Sequence, residues 1–312
     1  MQPEISVIAP IFNEVGNIAE LYRRVKETME KIGELWELIL VDDGSTDGST
    51  EKIRELARQD KHVRPVIFAR NFGHQLAVTA GLDYSRGQAV VMIDSDLQDP
   101  PEVIAELVEK WRTGYDVVYA VRSEREGESW FKLFTASLFY RLIYRITDVN
   151  IPMDTGDFRL LDRKVVKVLN QMRERHRFLR GLSVWVGFRQ TGVEYKRAAR
   201  FSGETKYPLR KMVKFAWDAI TSFSYFPLQL SMYLGFLAAG ISILAIPAVI
   251  VMRVVGSHAF YGQASTLIAV LFLGGVQLIS LGILGEYIGR LFDQAKGRPL
   301  YIVSEAPEND EE

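Results

Sequence analysis

Three carboxylates lie close together in Asp94-Ser95-Asp96-Leu97-Gln98-Asp99, directly after the apolar run at 89–93. In extended backbone, residues two apart share a face. Asp94, Asp96 and Gln98 are therefore placed to offer oxygens to one hard cation, such as Mg²⁺ or Mn²⁺. Such a cation can neutralise a diphosphate leaving group. The following Asp99-Pro100-Pro101-Glu102 reads as a cap and first helical turn, with Asp99 as the cap. A second acidic cluster, Asp42-Asp43-Gly44-Ser45-Thr46-Asp47, follows the apolar run at 38–41. Gly44 permits a tight turn there, and Ser45 or Asp47 can cap the next helix. A plain strand–turn–helix link explains Gly44 and Asp47 but not two adjacent acids. The spare carboxylate, on Asp42 or Asp43, can accept from a base N–H or a ribose hydroxyl. Pro10-Ile11-Phe12-Asn13-Glu14 is either a turn or the wall of a nucleotide pocket.

These clusters need strand ends to hold them. Apolar runs at 5–10, 38–41, 63–68, 89–93 and 116–121 predict strands. Helices are predicted at 17–32, 50–57, 74–84 and 102–111. In the first of these, Ile18, Leu21, Val25 and Met29 recur at a helical period. Alternation of this kind implies an α/β fold with a mostly parallel sheet covered on both faces. Ligands of such sheets bind outside the carboxyl ends of the strands. All three polar clusters fall at that edge. Beyond it come a helix at 130–146, a loop through Pro152-Met153-Asp154-Thr155-Gly156-Asp157, a strand at 158–161, a helix from Arg163 and a strand at 188–196.

The chain has 312 residues, a formal net charge of −1 and no cysteine. Nothing in that balance points to nucleic acid, and disulfides are excluded. Residues 219–252 and 259–285 contain no Asp, Glu, Lys or Arg. Each run exceeds the roughly 20 residues needed to cross a bilayer core. Two transmembrane helices are expected, at about 226–252 and 264–286. Lys196, Arg197, Arg200, Lys206, Arg210, Lys211 and Lys214 precede the first, and Arg290, Lys296 and Arg298 follow the second. The loop between holds only Arg253 and His258. The positive-inside rule then places both termini in the cytoplasm. No cleavable signal peptide is visible at the start of the chain. Residues 208–223 pattern as a basic amphipathic helix, expected to lie in the membrane interface or to pack on the soluble domain. The expected organisation is a cytoplasmic catalytic domain at 1–207, the interfacial helix at 208–223, two spans within 224–290 and a cytoplasmic tail at 291–312. The end of that tail, 305–312, is acidic and expected to be disordered. Small residues at Gly235 and Ala239, and at Gly285 and Gly289, favour close helix packing within the pair or in a homo-oligomer.

Five stretches together resemble the GT-A (Rossmann-like) inverting glycosyltransferases of the dolichyl-phosphate mannose synthase type. They are Pro10-Ile11-Phe12-Asn13-Glu14, Asp42-Asp43-Gly44-Ser45-Thr46-Asp47-Gly48, Arg70-Asn71-Phe72-Gly73, Asp94-Ser95-Asp96-Leu97-Gln98 and Thr155-Gly156-Asp157-Phe158-Arg159. With two C-terminal spans, the chain is most similar to bacterial bactoprenol (polyisoprenyl-phosphate) glucosyltransferases. It lacks the Gln-x-x-Arg-Trp motif of processive synthases, which favours single transfer. The resemblance implies a hexose, glucose from UDP-glucose being favoured, moved onto polyprenyl phosphate at the cytoplasmic face of the membrane. GDP-mannose or UDP-4-formamido-arabinose are the alternative donors. A non-catalytic scaffold or translocator is the rival class; the complete set of acids and the nearly apolar spans argue against it. Pro10, Glu14, Asp42 or Asp43, Arg70 and Asp94 would bind the nucleotide. Asp94, Asp96 and Gln98 would carry Mg²⁺ or Mn²⁺. Asp157 stands where the family has its base; it would deprotonate a phosphate monoester, orient the sugar, or simply cap a turn. Arg122, Lys132, Arg200 and Lys206 are the cations available to the acceptor phosphate. Membrane anchoring is the competing role for those near the spans.

Overall fold

The runs at 7–11 and 38–41 are apolar on both faces, as suits strands covered by helices on either side. They lie in β1 (Ile5–Ile11) and β2 (Trp36–Asp42), both buried throughout. The computed structural model describes residues 3–123, 155–197, 221, 224–255 and 263–307. The chain divides into two units, Met1–Lys214 with Arg298–Glu312, and Phe215–Gly297.

The first unit is built on one eight-stranded sheet. Its further strands are β3 (Val63–Phe68), β4 (Ala89–Met92), β5 (Val117–Arg122), β6 (Thr155–Asp162), β7 (Gln190–Tyr195) and β8 (Val303–Glu305). Their order is β7-β5-β6-β4-β1-β2-β3-β8. Pairs β1–β2, β1–β4, β2–β3 and β5–β7 are parallel, and only β6 and β8 run against their neighbours. This is the mostly parallel α/β sheet of the GT-A fold. Helices α1 (Val15–Ile32), α2 (Ser49–Gln59), α3 (His74–Tyr84) and α4 (Ile104–Arg112) form the crossovers. Helix α1 buries Ile18, Leu21, Val25 and Met29 completely. Each contributes on the order of 2 kcal/mol from burial alone. Helix α3 lies close against β1, for a Cβ at Gly81 would fall 2.1 Å from Ile8 Cγ2. Two helices follow β6, α5 (Arg163–Gln171) and α6 (Leu179–Trp185). The sequence pattern anticipated α5 but not the short α6.

The direction of β6 matters most for the site. It enters between β4 and β5 and runs the other way, so its first residues arrive at the edge where the parallel strands end. Met92 pairs with Arg159 and Val121 with Thr155. Extending the β4–β6 register two residues sets Asp157 across from Asp94.

The chain is ordered up to the first residue of the stretch expected to be disordered: Val303–Glu305 pairs antiparallel with β3, Glu305 opposite Ile67, while residues 308–312 lie outside the described residues. The ring of Tyr301 stacks on Phe68 with centroids 5.0 Å apart, and its hydroxyl donates to Asp83 at 2.6 Å. Arg54 grips the Glu305 carboxylate with two donors. A specific aromatic and a strand-compatible Val-Ser-Glu outweigh the acidic composition. The helix expected at 130–146 lies outside the described residues, and so does the interfacial helix at 208–223 apart from Thr221.

The second unit holds two long helices, α7 (Phe226–Val254) and α8 (Gln263–Ala295). Phe226–Ala245 and Ala269–Ala295 are long and apolar enough to cross a membrane, and apart from Pro227 none of their described side chains is buried within the protein. Exposed Phe236, Leu244, Leu271, Phe272 and Leu291 would be costly in water. The Tyr287 hydroxyl donates to the Ser224 carbonyl at 2.7 Å, tying the two helices at one end.

Candidate active site

The acidic segment after β4 is a turn rather than a strand extension. Leu97 has a φ of 59° and is buried, and Asp96 Oδ1 accepts from the Gln98 amide at 3.1 Å. Burial of the Leu97 side chain pulls the backbone into this left-handed conformation. The premise of extended backbone is therefore corrected, yet alternation survives. Asp94, Asp96 and Gln98 are partly exposed, whereas Ser95, Leu97 and Asp99 are buried. Asp99 does not cap the helix. The next element is a 3-10 turn, Pro101–Val103, which has no side-chain cap. The Asp99 carboxylate instead accepts from the Tyr195 hydroxyl and lies 3.9 Å from Arg122 Nη2.

Asp157 sits across from Asp94 in a basic setting. It accepts from Gln75 Nε2 at 3.1 Å and from Arg180 Nε and Nη2 at 3.3 and 3.2 Å. His74 Nε2 lies 3.3 Å from Asp157 and 3.7 Å from Asp94. Burial alone would raise the Asp157 carboxyl, but Arg180 and His74 hold it well below the usual carboxylate range. Burial would lower the His74 imidazole, but its bond to Asp157 and the charge of Asp94 lift it to about 9. Asp94 is pushed up to about 6, by burial first and against the pull of His74. Behind them Arg159 donates to the Gly156 carbonyl at 2.8 Å and to Ser183, and burial brings its guanidinium down to about 10. Asp157 is thus a stable anion and a weak base.

The loops after β1 and β2 lock each other. Asn13 N donates to Ser45 Oγ at 3.0 Å, Thr46 N to Asn13 Oδ1 at 2.8 Å, and Val15 N to Asp47 Oδ2 at 3.1 Å. Asp42 accepts from Ser45 N at 3.0 Å and from the Thr50 hydroxyl. Asp43 gathers the loop after β3, accepting from Asn71 Nδ2 at 2.9 Å, Phe72 N at 2.6 Å and Gly73 N at 2.9 Å. Gly44, with a φ of 70°, must be glycine, since a Cβ would meet the Arg70 carbonyl carbon at 2.6 Å. Both acids are buried and engaged in holding these loops. Pro10 is buried inside β1 opposite Val41. Glu14 Oε2 accepts from Asn17 Nδ2 at 2.6 Å. Arg70 is exposed, its guanidinium 4.1 Å over the Phe72 ring. Phe12, 41% exposed, is the open apolar surface at this corner.

Of the four cations proposed for an acceptor, the structure describes Arg122; Lys132, Arg200 and Lys206 lie outside the described residues. Arg122 ends β5, pairs in register with Tyr195 of β7 and donates to its hydroxyl at 3.3 Å. Arg197, just beyond β7, donates to Gln98 Oε1 at 2.6 Å. Sequence reasoning did not single out His74, Gln75, Arg180 or Tyr195. None belongs to a spaced acidic motif: His74 and Gln75 arrive on α3, Arg180 on α6 and Tyr195 at the end of β7. The His74 signal was present in its position directly after Arg70-Asn71-Phe72-Gly73.

The oxygens of Asp94, Asp96 and Gln98 suit a hard divalent ion. Among the described residues no three His, Asp or Glu come close enough to enclose one. The donor set fits an open site, in which the protein holds one side and substrate phosphates the other, as is usual for Mg²⁺.

The profile of the family "Glycosyl transferase family 2" matches residues 6–169, which include all of these acids. An uncharacterized glycosyltransferase, YkcC, of Bacillus subtilis is 50% identical over 97% of this chain and 94% of its own length. A prophage bactoprenol glucosyl transferase homolog of Escherichia coli is 42% identical over 96% of this chain and 98% of its own. The bactoprenol glucosyl transferase of Shigella phage SfII is 43% identical over 97% and 98%. Among solved structures, glucosyl-3-phosphoglycerate synthase from Mycobacterium tuberculosis is similar at a TM-score of 0.47, with 22% identity over 70% of this chain and 77% of that one. The family profile over residues 6–169 and the near full-length likeness to these relatives agree: the chain belongs to glycosyl transferase family 2.

Proposed function

We propose that the protein moves a hexose, glucose from UDP-glucose being favoured, onto the phosphate of a polyprenol at the cytoplasmic face of a membrane. The observation that carries this reading is the state of Asp157. A carboxylate pinned by Arg180 and His74 is poorly suited to take a proton from an alcohol. It suits an acceptor that is already an anion, such as a phosphate. In the step, an acceptor phosphate oxygen attacks C1 of the hexose, the bond from C1 to the diphosphate breaks, and UDP departs with that electron pair. Configuration inverts because attack and departure lie on opposite faces. Such a displacement asks mainly for alignment and leaving-group stabilisation.

Asp94, Asp96 and Gln98 would hold Mg²⁺ or Mn²⁺, which when bound supplies positive charge for the leaving diphosphate. The loops closed by Asp42, Asp43 and Asn13 shape the nucleotide side, with Glu14, Pro10 and Arg70 at its margin. Direct contact of Asp42 or Asp43 with the base would use the lone pairs their loop bonds leave over. Asp157 orients the sugar, and Arg122, with Arg200, Lys132 and Lys206, answers the acceptor phosphate. The near full-length likeness to bactoprenol glucosyl transferases supports both substrates.

Helices α7 and α8 would cross the bilayer as a pair. Support comes from the chain path: the strands before α7 and β8 after α8 belong to one sheet. Both ends therefore lie on one side, and the helices between them cross an even number of times. The basic flanks make that side cytoplasmic. The proposed organisation remains 1–207 catalytic, 208–223 interfacial, 224–290 spanning and 291–312 cytoplasmic; a homo-oligomer through the small-residue faces is compatible with it. The test is incubation of purified protein with polyprenyl phosphate and a panel of nucleotide sugars. Transfer from UDP-glucose giving a lipid-linked hexose is expected. Transfer only to an unphosphorylated acceptor, or none from any donor, would refute the reading.

A further inference from the structure

Asp99 is an unusual group to bury. Its side chain is 1% exposed, and its Oδ2 has no hydrogen-bond partner among the described residues. The opposite oxygen accepts the Tyr195 hydroxyl proton, and Arg122 Nη2 stands 3.9 Å away. An orphaned carboxylate oxygen in the interior costs stability, so the residue is poorly explained as a structural fastening. The helix cap it could have supplied is not made.

What Asp99 does hold is Arg122. The Tyr195 hydroxyl donates to Asp99 and accepts from Arg122 Nε at 3.3 Å. On the other flank the guanidinium runs past a bare glycine, where a Cβ at Gly156 would sit 3.0 Å from Nη2. Tyr195 itself is fixed by its ring edge against Phe158, with centroids 6.0 Å apart, and by two donors from Ser123 to its carbonyl. The end of β7 also reaches the acidic turn a second time, through Arg197 and Gln98.

We propose that Tyr195 and Asp99 are positioning residues that aim Arg122 at the acceptor phosphate and join it to the turn bearing Asp94, Asp96 and Gln98. This rests on the reading of Arg122 as an acceptor contact. The joined parts stand in one order: acidic turn, Asp99, Tyr195, Arg122. A phosphate acceptor gripped by Arg122 is thereby held at a set distance from the leaving diphosphate, the alignment that displacement needs.

The test is a double-mutant cycle in the purified full-length chain with polyprenyl phosphate as varied substrate and UDP-glucose binding measured alongside. Tyr195→Phe keeps the ring and its contact with Phe158 but removes the hydroxyl. It should lower kcat/KM for the acceptor by about tenfold, the equivalent of about 1.4 kcal/mol in the barrier. UDP-glucose affinity should stay within about twofold, a shift of some 0.4 kcal/mol. Asp99→Asn, which keeps shape and an acceptor oxygen but not the charge, should act in the same direction. In an Arg122→Ala background, Tyr195→Phe should have no further effect, since residues acting through one another are not additive. An undiminished loss in that background would overturn the proposal, as would a harmless Tyr195→Phe beside a damaging Arg122→Ala. Equal loss of donor binding would overturn it too. A harmless Arg122→Ala would instead remove the acceptor role of Arg122, and with it the proposal's foundation.

Discussion

Replacing Tyr301 by alanine should loosen the returning C-terminal strand and destabilise the catalytic domain. Three interactions are lost or weakened. The ring stacked on Phe68 at 5.0 Å and 15° contributes about 1 kcal/mol beyond its buried area. The hydroxyl's 2.6 Å bond to Asp83 goes to a carboxylate that also binds Arg173 through both oxygens. Such a bond to a charged group contributes about 2 kcal/mol. Without the ring, Val303–Glu305 loses its anchor beside β3, and the exposed Arg54–Glu305 pair adds little on its own. The loss is about 3 kcal/mol, or roughly 5–10 °C in Tm for a domain of this size. Burial and Asp83 both push the Tyr301 hydroxyl far above its ordinary pKa, so the bond persists through neutral and mildly alkaline pH. The assay is thermal unfolding of detergent-solubilised protein, with limited proteolysis near residue 300 as a local probe. Glu305→Ala is the internal comparison and should shift Tm far less than Tyr301→Ala, because its ion pair with Arg54 is exposed and screened by solvent. If Tyr301→Ala proved no worse than Glu305→Ala, the account of the tail as a fastened eighth strand would be wrong.

Chelation by EDTA should abolish transfer and Mn²⁺ or Mg²⁺ restore it, while Asp96→Asn should lose activity yet stay folded; full turnover in chelator would sink the metal assignment. Asp94 must be ionised to ligate, and its pKa is raised to about 6, so metal affinity should be full above that value and weaken as pH falls through it. The His74 imidazolium, lifted to about 9 from an ordinary 6.5, contributes stability that is present below about 6.5 and lost as pH rises through about 9. Unfolding midpoints at pH 6 and pH 10 should differ in that sense, and His74→Gln should flatten the difference. A reporter fused after Glu312 should be cytoplasmic and one inserted within 256–262 external; a C-terminus found outside would contradict the even crossing. Arg122→Ala or Arg200→Ala should cut transfer by at least about tenfold. The pair Lys211→Ala with Lys214→Ala should change it only modestly, because each anchoring charge contributes about 1 kcal/mol that the spans make redundant.

The sheet was legible because its signals are local. Burial of β1 and β2 appears in the apolar runs 7–11 and 38–41, and the α1 period reads directly from Ile18, Leu21, Val25 and Met29. The reversal of β6 was not legible, since Thr155–Asp162 carries no mark of direction. That reversal brings Asp157 to Asp94. Asp99 was misread for a related reason: Asp-Pro-Pro-Glu is a good helix start by local rules, but β7 places Tyr195 where it captures the carboxylate first. Glu305 was misplaced because composition averages over residues, whereas Tyr301 stacked on Phe68 helps seat the strand that ends there. The pairing of Asp43 with the Asn71-Phe72-Gly73 loop was likewise hidden, although both motifs were noticed. Adjacent acids can bind a ligand or bind each other's loops, and composition does not distinguish the two.

The charges around Asp94 explain how so acidic an edge folds and what it is ready to receive. Asp94, Asp96, Asp99 and Asp157 face His74, Arg122, Arg159 and Arg180, but the two sets are not evenly matched in space. Asp157 is answered from three sides and is held deep in its anionic form. Burial raises the Asp94 carboxyl first, and Asp157, Asp99 and Asp96 add to the rise against the pull of His74 at 3.7 Å. The negative charge left uncompensated therefore collects at Asp94, on the partly exposed side of the turn. A divalent ion would find its greatest attraction there. Arg122 ends β5, with β6 between it and β4. In the proposed reaction Asp94, after β4, would face the metal-bound diphosphate and Arg122 the incoming phosphate.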